Sequence, residues 1–221
     1  MLITMFLAVF LTALTTPAAW AIPISIVNPG FEDPILADGA RISPTFTAGW
    51  QFTGGNAIAV NGVWNPSAAQ AYGGIAPEGQ NIAFDNGQCI CTFFQTLSAV
   101  LAPNTTYTLQ ALVSSYRNPP FNPFPGYSIS LYAGSIGLAG YLTRVTPLEG
   151  TFSLVTATGT SDASVISGTP LTIQLSKLGS GGEILWDQVT LDARSIPEPA
   201  SLWLLACGVG ALLVSGRWVV L

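Results

Sequence analysis

Apolar and polar residues alternate in short runs through most of the chain, most clearly in Tyr107-Thr-Leu-Gln-Ala-Leu-Val-Ser114. Tyr107, Leu109, Ala111 and Val113 share one side of this run, opposite Thr108, Gln110 and Ser114. An extended backbone points successive side chains to opposite faces, so the spacing predicts a half-buried strand. The same period recurs at Tyr127, Ile129, Leu131 and at Leu171, Ile173, Leu175. Further strands are expected at Ile24 to Val27, Gly49 to Phe52, Asn81 to Phe84, Ile90 to Leu97, Leu138 to Val145, Thr151 to Thr158 and Ile184 to Leu191. Gly, Pro and Asn punctuate the intervals, and no helical period runs between them. About ten strands with one apolar face each need a second layer, so the expected fold is all-β: a two-sheet antiparallel β-sandwich, in the form of a jelly roll.

The two ends break this pattern. Met1 to Ala21 holds the apolar run Leu2 to Leu14 and small residues at Ala19 and Ala21; that is the layout of a secretory signal peptide cleaved after Ala21. At the other end Leu202 to Val214 is apolar or Gly throughout, with Arg217 beyond it. Such a segment can satisfy its own backbone as a helix in lipid. The expected organisation is therefore 1–21 signal peptide, 22–195 β-sandwich domain, and 196–221 a tail with a transmembrane helix.

The triplet Pro197-Glu198-Pro199, the single hydrophobic helix and the basic Arg217 resemble the PEP-CTERM sorting signal of bacterial surface proteins. The resemblance implies an exosortase-type sorting enzyme as partner, transient anchoring in the membrane through the C-terminal helix, and delivery to the bacterial cell envelope or extracellular matrix. An ordinary C-terminal anchor is the alternative.

Composition narrows the function. Only 8% of residues are charged, against about 25% in an average soluble domain. A net charge of -5 and a pI near 4.3 leave no basic patch to release counterions from phosphates, which excludes nucleic acid as a partner. The chain has no histidine, removing the commonest general base and transition-metal ligand. Cys89-Ile-Cys91 sits where a strained bridge or two thiols are both possible.

Within the body, Val27-Asn-Pro-Gly-Phe-Glu-Asp-Pro34, Gly49-Trp50, Gln95-Thr96-Leu97, Thr106 to Leu109 and Leu185-Trp-Asp-Gln-Val-Thr-Leu191 resemble the galactose-binding-like jelly rolls of many carbohydrate-binding modules. The resemblance implies adjacent terminal strands and a structural calcium ion near the carboxylates of the first and last motifs. The residues point the same way. Strict alternation puts Asp187 on the face of Val189 and Leu191, where a buried carboxylate calls for a cation or several donors. Glu32 and Asp33 follow a Pro-Gly turn whose free carbonyls could complete an oxygen shell. Glu32, Asp33 and Asp187 are thus the candidate Ca²⁺ ligands; a bulge turning Asp187 outward, or backbone N–H groups holding it, are the alternatives.

Sugar binding would need aromatic faces on loops. Trp64 and Tyr72, and Tyr116, Phe121 and Phe124 in a proline-rich loop, are the candidates; the alternative is that they fold back as satellite core. Trp50 and Trp186 are expected in the core. The function expected from these signals is a non-catalytic, exported surface or exopolysaccharide-matrix protein that binds extracellular polysaccharide, with no catalytic residue and no cofactor beyond calcium. A glycosidase-like hydrolase using carboxylates from among Glu78, Asp85 and Glu149, or a purely structural surface protein, is the alternative.

Overall fold

The computed structural model describes residues 20–43, 47–54, 60–69, 75–87, 90–116, 124–148, 150–165 and 167–197. Ala21–Arg194 forms one compact unit, and Met1–Trp20 with Ser195–Leu221 forms another. The expected signal peptide and transmembrane helix lie almost wholly outside the described residues. Among the described residues there is no helix.

Twelve strands are present among the described residues: β1 (Ile22–Pro23), β2 (Arg41–Ile42), β3 (Gln51–Gly54), β4 (Val60–Trp64), β5 (Ile82–Asn86), β6 (Cys91–Val100), β7 (Thr105–Tyr116), β8 (Tyr127–Ala133), β9 (Ile136–Thr143), β10 (Ser153–Thr160), β11 (Pro170–Lys177) and β12 (Glu183–Ser195). One sheet runs β10-β7-β12-β5-β4-β2 with β1 also on β12; the other runs β3-β6-β11-β8-β9. The terminal strands meet, Ile22 opposite Ala193. The alternation predicted for β7, β8 and β11 holds: Tyr107, Leu109, Ala111, Val113, Ile129, Leu131, Leu171, Ile173 and Leu175 are all buried in one core between the sheets. Trp50 and Trp186 lie in that core as expected. Phe31 stands 5.1 Å from the Trp50 ring, and Tyr127 meets Trp186 edge-on at 5.7 Å.

Three expectations need correction. Ile24 to Val27 is not a strand. The Gln95 amide takes over instead, accepting from the Val27 N–H at 2.8 Å and donating to its carbonyl at 2.9 Å, which satisfies that backbone without a ladder. Conversely, the stretch from Asn61 to Trp64 is no loop but most of β4. Its Asn-Gly pair looks like a turn signal, yet Gly62 serves close approach: a Cβ there would come within 1.9 Å of the Ile42 carbonyl oxygen of β2.

The third concerns β12. Trp186, Val189 and Leu191 all pack in the main core, whereas Leu185 packs in a second cluster on the opposite face. Three positions separate Trp186 from Val189, so one extra residue interrupts the alternation there, and Gln188 has a φ of 45°. That is a bulge. It takes Asp187 off the face of Val189 and Leu191, as the alternative reading had it, although Asp187 remains fully buried.

Candidate functional site

On the outer face of the seven-stranded sheet, alternation in β4, β5 and β12 gathers Trp64, Ile82, Phe84 and Leu185 into an apolar cluster with Ala76, flanked by Tyr116 and Phe152. Trp64 pairs across the strands with Ile82, and Phe84 with Leu185. Arg41 of β2 stands directly opposite Trp64. Its guanidinium carbon lies 3.8 Å above the Trp64 ring and 5.1 Å from the Phe84 ring, close enough for the ring quadrupoles to attract the cation. Arg41 Nη1 is 3.6 Å from Glu183 Oε1, and their side chains are 35% and 3% exposed. Burial pushes the Glu183 carboxyl up to about 7; Arg41, then Lys177, pull it down, and Asp85 pushes it further up. Glu183 therefore carries or loses a proton near neutrality, against an aromatic surface that already hosts a cation. Such a group is suited to proton transfer.

On the inner face, Asp85 accepts a hydrogen bond from Trp186 Nε1 at 3.0 Å and is fully buried. Burial raises it to about 7, opposed by the Trp186 bond and by Lys177. Lys177 comes from the other sheet, its Nζ donating to the Gly87 carbonyl at 2.6 Å; burial lowers it to about 8 against the pull of Asp85 and Glu183. This group is buried between the sheets and ties them together.

A third group joins the first and last motifs. The Glu78 N–H donates to Asp187 Oδ2 at 3.0 Å and the Gln188 N–H to Oδ1 at 2.7 Å. Glu32 accepts from the N–H groups of Gln80 and Asn81 at 3.0 and 2.8 Å. Room for these carboxylates comes from glycine. A Cβ on Gly30 would fall 1.5 Å from Glu78 Oε2, and one on Gly79 would fall 2.2 Å from Glu32 Cδ. Burial raises the Asp187 carboxyl to about 7, the two backbone donors lower it, and the charges of Glu78 and Glu32 raise it. Asp33 points its side chain to solvent; its carbonyl instead accepts from Asn28 Nδ2 at 2.8 Å and from the Thr47 hydroxyl. Glu78 thus replaces Asp33 beside Asp187. Among the described residues no three His, Cys, Asp or Glu side chains are disposed around a metal position.

The described aromatic candidates pack against the apolar clusters. Trp64 is buried in the outer-face cluster with Tyr116 packed against it, while Phe124 packs on the main core, 6.1 Å from the Tyr127 ring. Tyr72 and Phe121 lie outside the described residues, as do Glu149, Glu198, Pro199 and Arg217. Pro197 is exposed and in no strand. Cys91 is disulfide-bonded. The sequence reading passed over Arg41 and Glu183. The signal available for Arg41 was scarcity alone, since the chain has only 6 basic residues.

The HpiC1-like family model, described as HpiC1 cyclase, matches residues 22–192. FisC, a Stig cyclase of Fischerella sp. TAU solved with (3Z)-3-(1-methyl-2-pyrrolidinylidene)-3H-indole, is 30% identical at a TM-score of 0.70, over 80% of this chain and 100% of that one. A cyclase of the same organism solved with 4-(1H-indol-3-yl)butan-2-one is also 30% identical, TM-score 0.68, over the same shares. An arabinose-bound GH51 α-L-arabinofuranosidase shares the fold alone, at 11% identity, a TM-score of 0.51 and 26% of its length. No curated protein matches. These findings overturn the expected non-catalytic, carbohydrate-binding surface or exopolysaccharide-matrix protein of the PEP-CTERM class, together with its hydrolase alternative. The residues behind that expectation, Asn28 to Glu32 and Asp187 to Leu191, shape the sandwich, and one sandwich serves sugar modules and enzymes alike. Matched along nearly the whole β domain, the chain belongs to the HpiC1-like cyclase family.

Proposed function

We propose that this chain is an enzyme that closes a ring in an indole-bearing substrate, with Glu183 as proton carrier and the Trp64 and Phe84 rings as the surface on which positive charge develops. The observation that carries this reading is the buried Glu183 carboxyl, pushed up to about 7 beside two aromatic rings that face a cation. Both compounds named with the Fischerella cyclases carry a flat indole-type ring system, in keeping with such a surface. In the proposed step the Glu183 acid protonates a side-chain alkene of the substrate. The resulting cation forms a carbon–carbon bond to the indole ring, and the ring proton displaced on rearomatisation returns to the Glu183 carboxylate. Atoms balance: the product is an isomer with one more ring. Incubation of the full chain with an alkenyl indole, followed by liquid chromatography and mass spectrometry, tests this. A later-eluting product of unchanged mass and one fewer alkene is expected; recovery of the starting material alone, with folded protein, overturns the reading.

Calcium belongs to this proposal as a structural ion. Among the described residues no three carboxylates surround one metal position, so an ion at Asp187, whose buried carboxyl feels the charges of Glu78 and Glu32, would complete its oxygen shell from backbone carbonyls and water. A cation there would hold the 78–81 segment to β12 and take no part in the chemistry.

We also propose export, with removal of the tail outside the membrane by a membrane-bound processing enzyme. Support comes from the family match, which spans residues 22–192 and leaves both apolar ends outside it, and from Pro197, an exposed position without strand structure that a protease can engage. Intact-mass analysis of protein from its own host is expected to give a chain starting at Ile22 and ending near Pro199. A chain still carrying Leu221 would refute the trimming.

A further inference from the structure

Three features of the outer face set Arg41 apart. It belongs to β2, a strand of two residues at the end of the seven-stranded sheet. It is the solvent-facing member of a group whose other members, Trp64, Phe84 and Glu183, are 1%, 0% and 2% exposed. Its guanidinium is held by a ring face and by a 3.6 Å ion pair, and Glu183 Oε1 has no hydrogen bond. A planar cation on an aromatic ring occupies the position that an indole would take, since stacked planes of similar size compete for one surface.

We propose that Arg41 is a displaceable cover over Trp64, Phe84 and Glu183, and that an indole substrate, by taking its place, leaves Glu183 to acquire the proton it then delivers. This rests on the proposed cyclase reading and adds to it a coupling between loading and arming. With Arg41 stacked in place, Glu183 keeps its negative charge partnered and the aromatic surface stays shielded from water. Once the guanidinium swings to solvent, the charged groups left acting on Glu183 are Lys177 of β11 and Asp85 of β5, of opposite sign. A carboxylate left in an apolar pocket without its main cation takes up a proton rather than remain charged. Above neutrality the acid is thus assembled chiefly when substrate is present, because the Arg41-covered carboxyl, at about 7, has already lost its proton there.

Proton uptake is the direct readout. The full chain is titrated calorimetrically with 4-(1H-indol-3-yl)butan-2-one in two buffers of different ionisation enthalpy at about pH 8, where linkage makes proton uptake per bound molecule visible. Wild type is expected to take up roughly half to one proton per probe, and Glu183→Gln close to none. Arg41→Met is expected to bind about tenfold more tightly, because no cover need be displaced, and with little uptake, because Glu183 is already protonated. Arg41→Lys keeps the charge but loses the planar stack, so it should bind more tightly than wild type and still take up the proton. Binding by wild type without uptake overturns the coupling and leaves the indole reading standing. Uptake that survives in Glu183→Gln places the proton elsewhere and also overturns it. No binding by any variant removes both. If Arg41→Met does not fold, wild type and Glu183→Gln decide between these results on their own.

Discussion

Glu183→Gln is expected to lower ring closure by about 10²–10⁴-fold while leaving the fold intact, the range associated with loss of a positioned general acid. Gln fills the same volume and can still meet Arg41 as an acceptor, but it has no proton to give. In wild type kcat/KM should fall as pH rises through about 7, because the acid form is the active one and the free enzyme's Glu183 loses its proton there. Asp85→Asn is the control. Its amide oxygen still accepts from Trp186 Nε1, and it is buried between the sheets, so turnover should change by no more than a few-fold. A pH–rate profile of each variant separates the two carboxyls. If Asp85→Asn abolishes turnover and Glu183→Gln does not, the chemistry belongs to the inner group and the outer-face site is wrong.

The second large effect is on stability. In the unfolded chain an aspartate holds its proton only below about pH 4, whereas buried Asp187 holds its own up to about 7. Between these values the folded state binds more protons than the unfolded one, so stability falls as pH rises from about 4 to about 7, and the loss persists above. With one tenfold change in proton affinity equal to about 1.4 kcal/mol, Asp187 alone accounts for roughly 2–4 kcal/mol. At this chain length that is about 5–15 °C in Tm. Asp85 and Glu183, raised for the same reason, move the curve in the same direction. In chelator the protein should therefore melt higher at pH 5.5 than at pH 8. Millimolar calcium should reverse much of this at pH 8 and do little at pH 5.5, because the ion requires Asp187 ionised. Bound ion at about a hundredfold over its Kd contributes about 2.7 kcal/mol. Asp187→Asn should remove the calcium effect and flatten the pH dependence. Thermal melts at both pH values, with calcium and with chelator, check it; a melting point at pH 8 indifferent to calcium would discard the ion and keep the pH dependence.

The sandwich could be read in the chain because strand alternation is a local property. Tyr107 to Val113, Tyr127 to Leu131 and Leu171 to Leu175 each carry their own apolar face, and no distant residue is needed to see it. The same locality misled at three places. Trp64, expected on a loop, lies in strand β4, where only the closeness of the Ile42 carbonyl explains Gly62. At Gln188 a bulge shifts the alternation by one residue, which moved Asp187 to the other face. Around Val27 a side-chain amide from 68 residues away replaces the ladder.

The candidate site was less legible still. The sequence alone determined an acidic, histidine-free, all-β body, because those features follow from residue types and their periods; that its first and last motifs lie together was implied only by the resemblance to galactose-binding-like jelly rolls. Tertiary structure decided everything that turns on approach between distant strands. Arg41 reaches Trp64 because β2 lies beside β4, and it reaches Glu183 because the chain brings β12 into the same sheet. A glutamate at the start of a strand has no special character in one dimension. Its proton affinity is set by the loss of water around it and by charges from β2, β5 and β11, of which only Lys177 of β11 lies near it in sequence.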